Sequence, residues 1–190
     1  MGRKIKKIIV IMLLLPLAII VNSINEPSFG AAEIQRETIP TGATAASQID
    51  VWDLSGQSEY GTNTVYDVKI TLLSVIRGKK ALDFIQTENN PHEPLVAGFE
   101  YLLARIKIAC DVKGDSFLPY KVKQDDFKVY DTAGHAYLSP AVLPPDQSLI
   151  DMKINPGDVR EGWIPFLVAR DHKRPLMFFS GGLWFQLFDH

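Results

Sequence analysis

The sequence contains a single cysteine, Cys110, so no disulfide can form within the chain. This excludes the disulfide-stapled scaffolds that are common among small exported proteins, and the fold must be stabilised by a hydrophobic core. Cys110 belongs to an alternating series of apolar residues, which predicts a small buried side chain rather than a reactive thiol. The series consists of Leu102, Ala104, Ile106, Ile108, Cys110 and Val112.

The motifs of metal and nucleophilic chemistry are also missing. There is no HExxH, CxxC, EF-hand or GxSxG pattern, and the four histidines are scattered along the chain at His92, His135, His172 and His190. We therefore predict no catalytic residue, no cofactor and no dedicated transition-metal site. Paired carboxylates for glycoside hydrolysis stay open because their separation is invisible in a sequence, but no insertion suggests a cleft, which disfavours a hydrolase.

Calcium binding is the remaining ionic alternative. Acidic residues accumulate in the predicted turns, and their oxygen atoms could converge at one end of a β-sandwich. Acidic turn residues are more often solvated caps, and that is the interpretation we favour. The residues concerned are Asp125, Asp126 and Asp131, with Asp146 or Asp151.

Outside its amino terminus the sequence has no excess of basic residues, and its one basic cluster, Arg170, Lys173 and Arg174, is diluted by Asp171. Removing residues 1–32 takes four basic residues and one acidic residue from totals of 20 and 22, which leaves a net charge of about −5. A nucleic-acid-binding protein needs a basic surface, so this charge balance argues against that class, and we predict no nucleic-acid partner.

Residues 1–32 have the pattern of a signal peptide. Arg3, Lys4, Lys6 and Lys7 form a basic start, and residues 8–21 form an apolar run that is short for a membrane-spanning helix. Small residues at positions 30–32 predict cleavage after Ala32 and a secreted or envelope-associated protein. An uncleaved segment that holds the protein on the membrane is the alternative.

The remainder of the chain predicts a flexible linker followed by one β-domain. Residues 33–64 are rich in Thr, Gly, Ala, Ser and Gln, which is typical of a tether. Residues 65–190 contain alternating apolar segments at intervals of about ten residues, which predict seven or eight strands of a sandwich. The first two strands are expected at residues 65–76 and 99–112, the second lying centrally.

Further elements are expected between and after these strands. Ala81, Leu82 and Ile85 have helical spacing, which predicts about two turns that cap one end of the sandwich. Shorter strands are predicted at residues 125–131, 136–138 and 150–154. The apolar run at residues 159–168 predicts a buried strand, with another strand folding back beside it after the turn at 170–175. Pro165 cannot donate a ladder hydrogen bond, so this strand must carry a bulge or have a free edge there.

Several of these segments together resemble a known family. They are residues 100–108 (EYLLARIKI), 126–134 (DFKVYDTAG), and Pro156-Gly157 followed by 162–168 (GWIPFLV). In this order they resemble the telokin-like, immunoglobulin-fold family of uncharacterised secreted proteins and lipoproteins of Gram-positive bacteria. The resemblance covers residues 64–188 and implies an extracellular immunoglobulin-like β-sandwich, but no catalytic residues. The chain lacks the cysteine through which many members are lipid-anchored.

Two regions are candidates for binding. The polar loop at residues 86–98 offers Asn89, Asn90, His92 and Glu93 as interaction residues, since long loops on rigid scaffolds often bind ligands. Trp184 and Phe188 are the aromatic residues most expected to be exposed near the carboxyl terminus. The carboxyl-terminal aromatics could form a carbohydrate platform, although core filling is the simpler account.

We therefore predict an exported, non-enzymatic, immunoglobulin-like module that binds a protein or a component of the cell envelope. The alternative is a protein that binds a small ligand or calcium through the loops at one end of the sandwich. Neither reading assigns it a cofactor.

Overall fold

The computed structural model describes residues 37–53, 62–86, 96–113, 118–131, 133–140 and 148–188. These residues form two layers of antiparallel strands, one α-helix and one short 3-10 helix, which confirms the predicted β-sandwich. The strands are β1 (Thr44–Asp53), β2 (Thr62–Arg77), β3 (Phe99–Val112), β4 (Tyr120–Lys121), β5 (Phe127–Tyr130), β6 (Lys153–Ile154), β7 (Val159–Ala169), β8 (Leu176–Phe179) and β9 (Leu183–Gln186). The α-helix is α1 (Gly78–Gln86), and the 3-10 helix is Gln124–Asp126.

The first layer is a four-stranded sheet with the order β1-β2-β3-β7. Alternation of apolar and polar residues sets its register, because each strand must turn one face to the core. Ile70 of β2 lies opposite Ile108 of β3, and both are fully buried. A bulge at Leu72/Ser74 inserts one extra residue into β2. β3 lies between β2 and β7, as its long apolar face predicted.

The second layer contains a three-stranded sheet, β5-β8-β9, and a two-stranded ladder, β4-β6. One face of each layer contributes to a common core, which explains why the sandwich needs no disulfide. From the second layer the buried contributors include Tyr120, Phe127, Val129, Ile154, Met177, Phe179 and Phe185.

The prediction of a flexible linker at residues 33–64 was wrong for its central part. Thr44–Asp53 forms β1 and pairs with β2 along its whole length. Just before β1, Ile39 bridges Phe185 of β9, and Thr38 Oγ1 accepts a hydrogen bond from Gln186 Nε2 at 2.7 Å. Residues 38–53 therefore contact both layers. The inward residues of β1 include Ala45 and Ser47, whose small side chains made the strand resemble a tether.

Parts of the predicted amino-terminal organisation lie outside the described residues. These are the signal segment at 1–32 and linker residues 33–36 and 54–61. Among the helices that the structure does describe, none has the length and hydrophobicity needed to span a bilayer.

The predicted helix exists, but it lies on the outer face of the four-stranded sheet rather than over an end of the sandwich. Ala81 and Ile85 of α1 pack against Tyr101 and Leu103 of β3, and all four side chains are buried. Trp163 of β7 borders this second cluster. The outer face of β3 is consequently solvated only beyond Leu103, where Arg105, Lys107 and Asp111 follow.

β7 is an edge strand, as Pro165 predicted. It pairs with β3, and Pro165 lies opposite Leu103. The strand expected to fold back beside it does not do so, because the turn at residues 170–175 carries the chain into the other layer, where β8 pairs with β5 and β9. The strand predicted at 136–138 is reduced to one bridge between Ala136 and Tyr130, and the strand predicted at 150–154 is reduced to β6.

Candidate binding surfaces

The outer face of the three-stranded sheet carries a cluster of three aromatic side chains, which we call the aromatic face: Tyr130, Phe178 and Trp184. Each follows from strand alternation, because the neighbours Val129, Phe179 and Phe185 point into the core. The ring centroids of Phe178 and Trp184 lie 4.8 Å apart, and those of Tyr130 and Trp184 lie 5.3 Å apart. All three side chains are half-buried, so they present an apolar surface to solvent.

The rings of the aromatic face are tilted with respect to one another. Their planes meet at 47° for Phe178 and Trp184, 52° for Tyr130 and Trp184, and 79° for Tyr130 and Phe178. Such tilted and edge-to-face contacts stabilise the cluster, but they do not create one flat platform. The aromatic face therefore suits an irregular apolar surface better than the flat face of a sugar ring.

Polar and charged groups surround the aromatic face. Lys128 projects from the same side of β5 and is exposed. Gln186 of β9 is held by its hydrogen bond to Thr38. Near the end of the described chain, the guanidinium of Arg174 lies over the ring of Phe188, 5.0 Å from its centroid. An apolar centre with a polar rim is the usual anatomy of a protein-binding surface.

A concave surface, which we call the trough, lies on the outer face of the four-stranded sheet. Its volume is about 670 Å³, and it lies at the end of β3 away from α1. Gln48 Nε2 donates a hydrogen bond to Asp67 Oδ1 at 2.7 Å, and Asp67 lies directly opposite Asp111 in the ladder. The lining residues are Ala46, Ser47, Gln48, Asp67, Val68, Lys69, Ala109, Cys110, Asp111, Gly157 and Asp158.

Cys110 reaches the trough region from the core side of β3. Its side chain is buried, and desolvation, followed by the nearby charge of Asp111, raises the pKa of the thiol to about 11. The burial of Cys110 confirms the sequence prediction, and the protonated thiol has little nucleophilic character at neutral pH.

A polar pair joins β4 to the 3-10 helix. The hydroxyl of Tyr120 donates to Asp126 Oδ2 at 2.6 Å, and the backbone N–H of Lys123 donates to the same oxygen at 2.7 Å. Burial raises the pKa of both side chains, and for Tyr120 the charge of Asp126 raises it further. These contacts hold the turn before β5 in place, which is a structural role.

A second polar pair joins the segment after β5 to the turn between β7 and β8. The hydroxyl of Tyr137 lies 3.0 Å from Nδ1 of His172, and the two rings are also in contact. Nε2 of His172 is buried and has no hydrogen-bond partner among the described residues. Desolvation lowers the pKa of His172, so the imidazole remains neutral at physiological pH.

Three of the aspartates considered for calcium are engaged with separate partners. Asp126 accepts from Tyr120, Asp131 Oδ1 accepts from the backbone N–H of His135 at 2.8 Å, and Asp151 lies 2.6 Å from Lys121 Nζ. Asp146 lies outside the described residues. Within the part of the chain that the structure describes, no group of three or more His, Cys, Asp or Glu side chains could hold a metal ion.

The residues predicted as binding sites have different outcomes. Asn89, Asn90, His92 and Glu93 lie outside the described residues, so their role stays a prediction. Trp184 is part of the aromatic face, and Phe188 is half-buried beside Arg174.

The sequence placed Phe178 and Trp184 among the carboxyl-terminal aromatics of a possible platform, but it did not indicate that Tyr130 joins them. Alternation within β5 and β8 would have placed Tyr130 and Phe178 on the outer face. Their proximity depends on the pairing of β8 with both β5 and β9, which a single sequence does not reveal.

Comparison with known proteins gives one structural similarity. No protein family matches the sequence, and no curated protein matches it. MPT63, a secreted protein from Mycobacterium tuberculosis, has a crystal structure that aligns with 74% of this chain and 92% of its own, with a TM-score of 0.43 and 15% sequence identity. The resemblance to the telokin-like family stays a prediction.

Proposed function

We propose that this protein is an exported, non-enzymatic β-sandwich module that binds a protein partner of the cell envelope through the aromatic face. The observation that carries the proposal is the contact of Tyr130, Phe178 and Trp184 on the solvent side of the three-stranded sheet. Tyrosine, tryptophan and phenylalanine are enriched in protein interfaces, and tryptophan and tyrosine dominate their binding energies. The tilt of the rings favours a protein over a glycan.

Export is part of the proposal and rests on the sequence of residues 1–32. A basic start, a short apolar run and small residues before the cut are the three parts of a signal peptide. The proposed protein is thus an extracellular module, and membership of the telokin-like family would agree with this placement.

The absence of enzymatic activity is supported by the state of the reactive groups. The Cys110 thiol is buried and protonated, and Asp126 is occupied by Tyr120 and Lys123. A nucleophile needs an adjacent base and access to substrate. None of the described polar pairs combines those two properties.

The proposal is tested by quantitative capture from an envelope extract. Wild-type protein is compared with Trp184→Ser and with the matched control Val159→Ser, which removes an exposed apolar residue of the opposite sheet. We expect a captured protein that wild type and control retain equally and that Trp184→Ser loses by ~tenfold or more, as is usual for a central aromatic residue.

Thermal melting of each variant is measured first, so that a folding defect is not mistaken for lost binding. Tyr130→Ser is the second variant if Trp184→Ser melts early. The proposal fails if stable variants of the aromatic face capture the same proteins in the same amounts as wild type.

The trough supports a second candidate, a protein that binds a small polar ligand. Its concave shape and its carboxylate, amide and ammonium side chains are suited to a zwitterionic or polyhydroxylated molecule. A thermal-shift screen against calcium, other metals, wall-derived glycans and small metabolites tests this. A ligand at 100 times its Kd adds about 2.7 kcal/mol to the free energy of unfolding. A rise in melting temperature that Asp67→Asn abolishes would favour this candidate. If no compound raises the melting temperature, the candidate is excluded for the compounds screened.

A further inference from the structure

β1 is an open edge of the four-stranded sheet. It is ten residues long, and its register with β2 is continuous from Thr44 to Asp53. Within the described residues, no backbone hydrogen bond joins β1 to any element other than β2. Among these residues, one side of the strand has no strand partner, and its N–H and C=O groups can pair with another strand.

β1 lacks the features that usually protect an edge strand. It contains no proline, no lysine or arginine and no bulge, and its first four side chains are Thr, Ala, Ala and Ser; its only charges are the carboxylates of Asp50 and Asp53. The opposite edge, β7, has these protections. Pro165 interrupts its hydrogen bonding, Arg160 adds charge, and Ser148 and Leu149 contact the strand at Trp163. The difference between the two edges points to β1 as a surface for strand pairing.

We infer that β1 pairs antiparallel with β1 of a second copy of this chain, with Ile49 on the two-fold axis. Residues that face each other across an antiparallel pair point to the same side of the sheet. A continuous core therefore requires inward residues to face inward residues. With Ile49 opposite Ile49 this condition holds along the strand, and the two sheets join into one of eight strands.

The side chains of this register are complementary. On the outer face, Asp50 lies opposite Gln48 of the second copy, so a carboxylate meets an amide donor and no carboxylate faces another directly. On the inner face, Val51 lies opposite Ser47. A shift of two residues would place Gln48 opposite Gln48 and leave Asp50 beside Ala46, without a donor.

The same register explains the exposure of Trp52. Its side chain is 61% exposed on the outer face, the largest exposed aromatic among the described residues. In the pair, Trp52 lies opposite Ala46 of the second copy, which lines the trough. The small alanine leaves room for the indole ring, and the carboxylates of Asp67 and Asp111 offer acceptors for its N–H group. The trough of each copy would then receive the tryptophan of the other.

This surface is separate from the aromatic face, which lies on the other layer of the sandwich and stays accessible in the dimer. A substitution in one surface should leave the other intact, so dimer formation and binding of the proposed partner can be disproved separately. In the dimer, two aromatic faces would be displayed by one particle, and binding to a surface with several copies of the partner would gain from avidity.

The test is sedimentation velocity on protein purified from an exporting host that expresses the full chain. Concentrations from ~1 to ~500 µM are needed, because strand-edge interfaces are small and bind weakly. We expect a dimer whose population rises with concentration. Trp52→Ser and Ala46→Glu should each weaken it by ~tenfold or more, as expected for loss of a buried aromatic contact. Glu at position 46 lies opposite Lys69 within its own chain, so the fold is retained.

Leu138→Ser is the matched control, since Leu138 is 83% exposed but lies outside β1. It should dimerise as wild type does. A monomer throughout the concentration range would overturn the inference, as would a dimer that survives both β1 variants or that is lost in Trp184→Ser.

The register is tested by disulfide cross-linking. A mixture of Gln48→Cys and Asp50→Cys proteins should cross-link readily, because opposing residues lie ~5 Å apart. The native Cys110 is buried and does not compete. A mixture of Thr44→Cys and Asp50→Cys should not cross-link. Faster cross-linking in this second mixture, or of Gln48→Cys with itself, would contradict the axis at Ile49.

Discussion

The imidazole of His172 gives the stability of the protein a defined dependence on pH. Desolvation lowers its pKa in the folded state, and the charge of Arg77 acts in the same direction, whereas Asp131 and Asp171 oppose it. In the unfolded chain the pKa returns to about 6.5. Between these two pKa values the unfolded state binds more protons, so the free energy of unfolding falls as the pH drops below about 6.5.

We predict that His172→Gln removes this acid sensitivity. Wild-type protein should melt at a lower temperature at pH 5.5 than at pH 7.5, and the variant should show a smaller difference. Asp126 acts in the opposite sense, because its pKa is raised in the folded state and acidification favours the fold there.

The measurement is the melting temperature across this pH range, by calorimetry or circular dichroism. Lys80→Gln, an exposed substitution on α1, is the control and should retain the wild-type difference in melting temperature. If the melting temperature of His172→Gln depends on pH as the wild type does, another group is responsible for the loss of stability in acid.

Helix α1 is small, but it covers the outer face of β3 with a separate hydrophobic cluster. Ile85 is fully buried against Tyr101 and Leu103. Ile85→Ala should lower the free energy of unfolding by ~2 to 4 kcal/mol, the usual cost of such a truncation in a packed cluster. Lys80→Ala, on the exposed side of the same helix, is the control and should change it by less than ~0.5 kcal/mol.

Chemical denaturation measures both variants. Similar midpoints for Ile85→Ala and Lys80→Ala would mean that the helix contributes little to the stability of the sheet. The outer cluster would then be loosely packed, contrary to its burial in the structure.

At the level of elements, the sequence predicted strands well where large apolar residues alternate with polar ones. The bounds of β3 were predicted as residues 99–112 and are observed as Phe99–Val112. β1 was missed because Ala45 and Ser47 occupy its inward positions, and such small side chains give little signal of burial. The strand expected at residues 136–138 forms only a single bridge, because strand pairing depends on a partner that the local sequence does not specify.

The aromatic face illustrates the same limit at the level of the whole molecule. Alternation could place Tyr130, Phe178 and Trp184 on outer positions of their own strands. It could not show that β5, β8 and β9 bring the three rings together, because Tyr130 and Trp184 belong to distant parts of the chain. Trp184 was therefore predicted to be exposed together with Phe188, and its contacts with Tyr130 and Phe178 were found only in the structure.

Deleting β1 should severely destabilise the molecule. A chain that begins at Thr62 loses the burial of Ile49, worth about 2 kcal/mol, and several backbone hydrogen bonds of about 1 kcal/mol each. The sum approaches the whole stability of a typical domain, ~5 to 15 kcal/mol. We expect this chain to be unfolded or to melt more than ~10 °C lower than a chain that begins at Glu37.

Denaturation of the two chains, followed by circular dichroism, measures the difference. Coincident curves would mean that β1 adds nothing to stability, and residues 33–64 would again be best described as a tether.

The bridge between Ile39 and Phe185 joins the two ends of the described chain. The two residues are separated by almost the whole length of the described chain. The last part of the sandwich therefore cannot form until Phe185 is available to pair with Ile39. While it is being synthesised, the emerging chain lacks β9 and cannot complete its fold. The export proposed above would gain from this delay, since a channel for unfolded chains requires a substrate that does not fold before it has crossed.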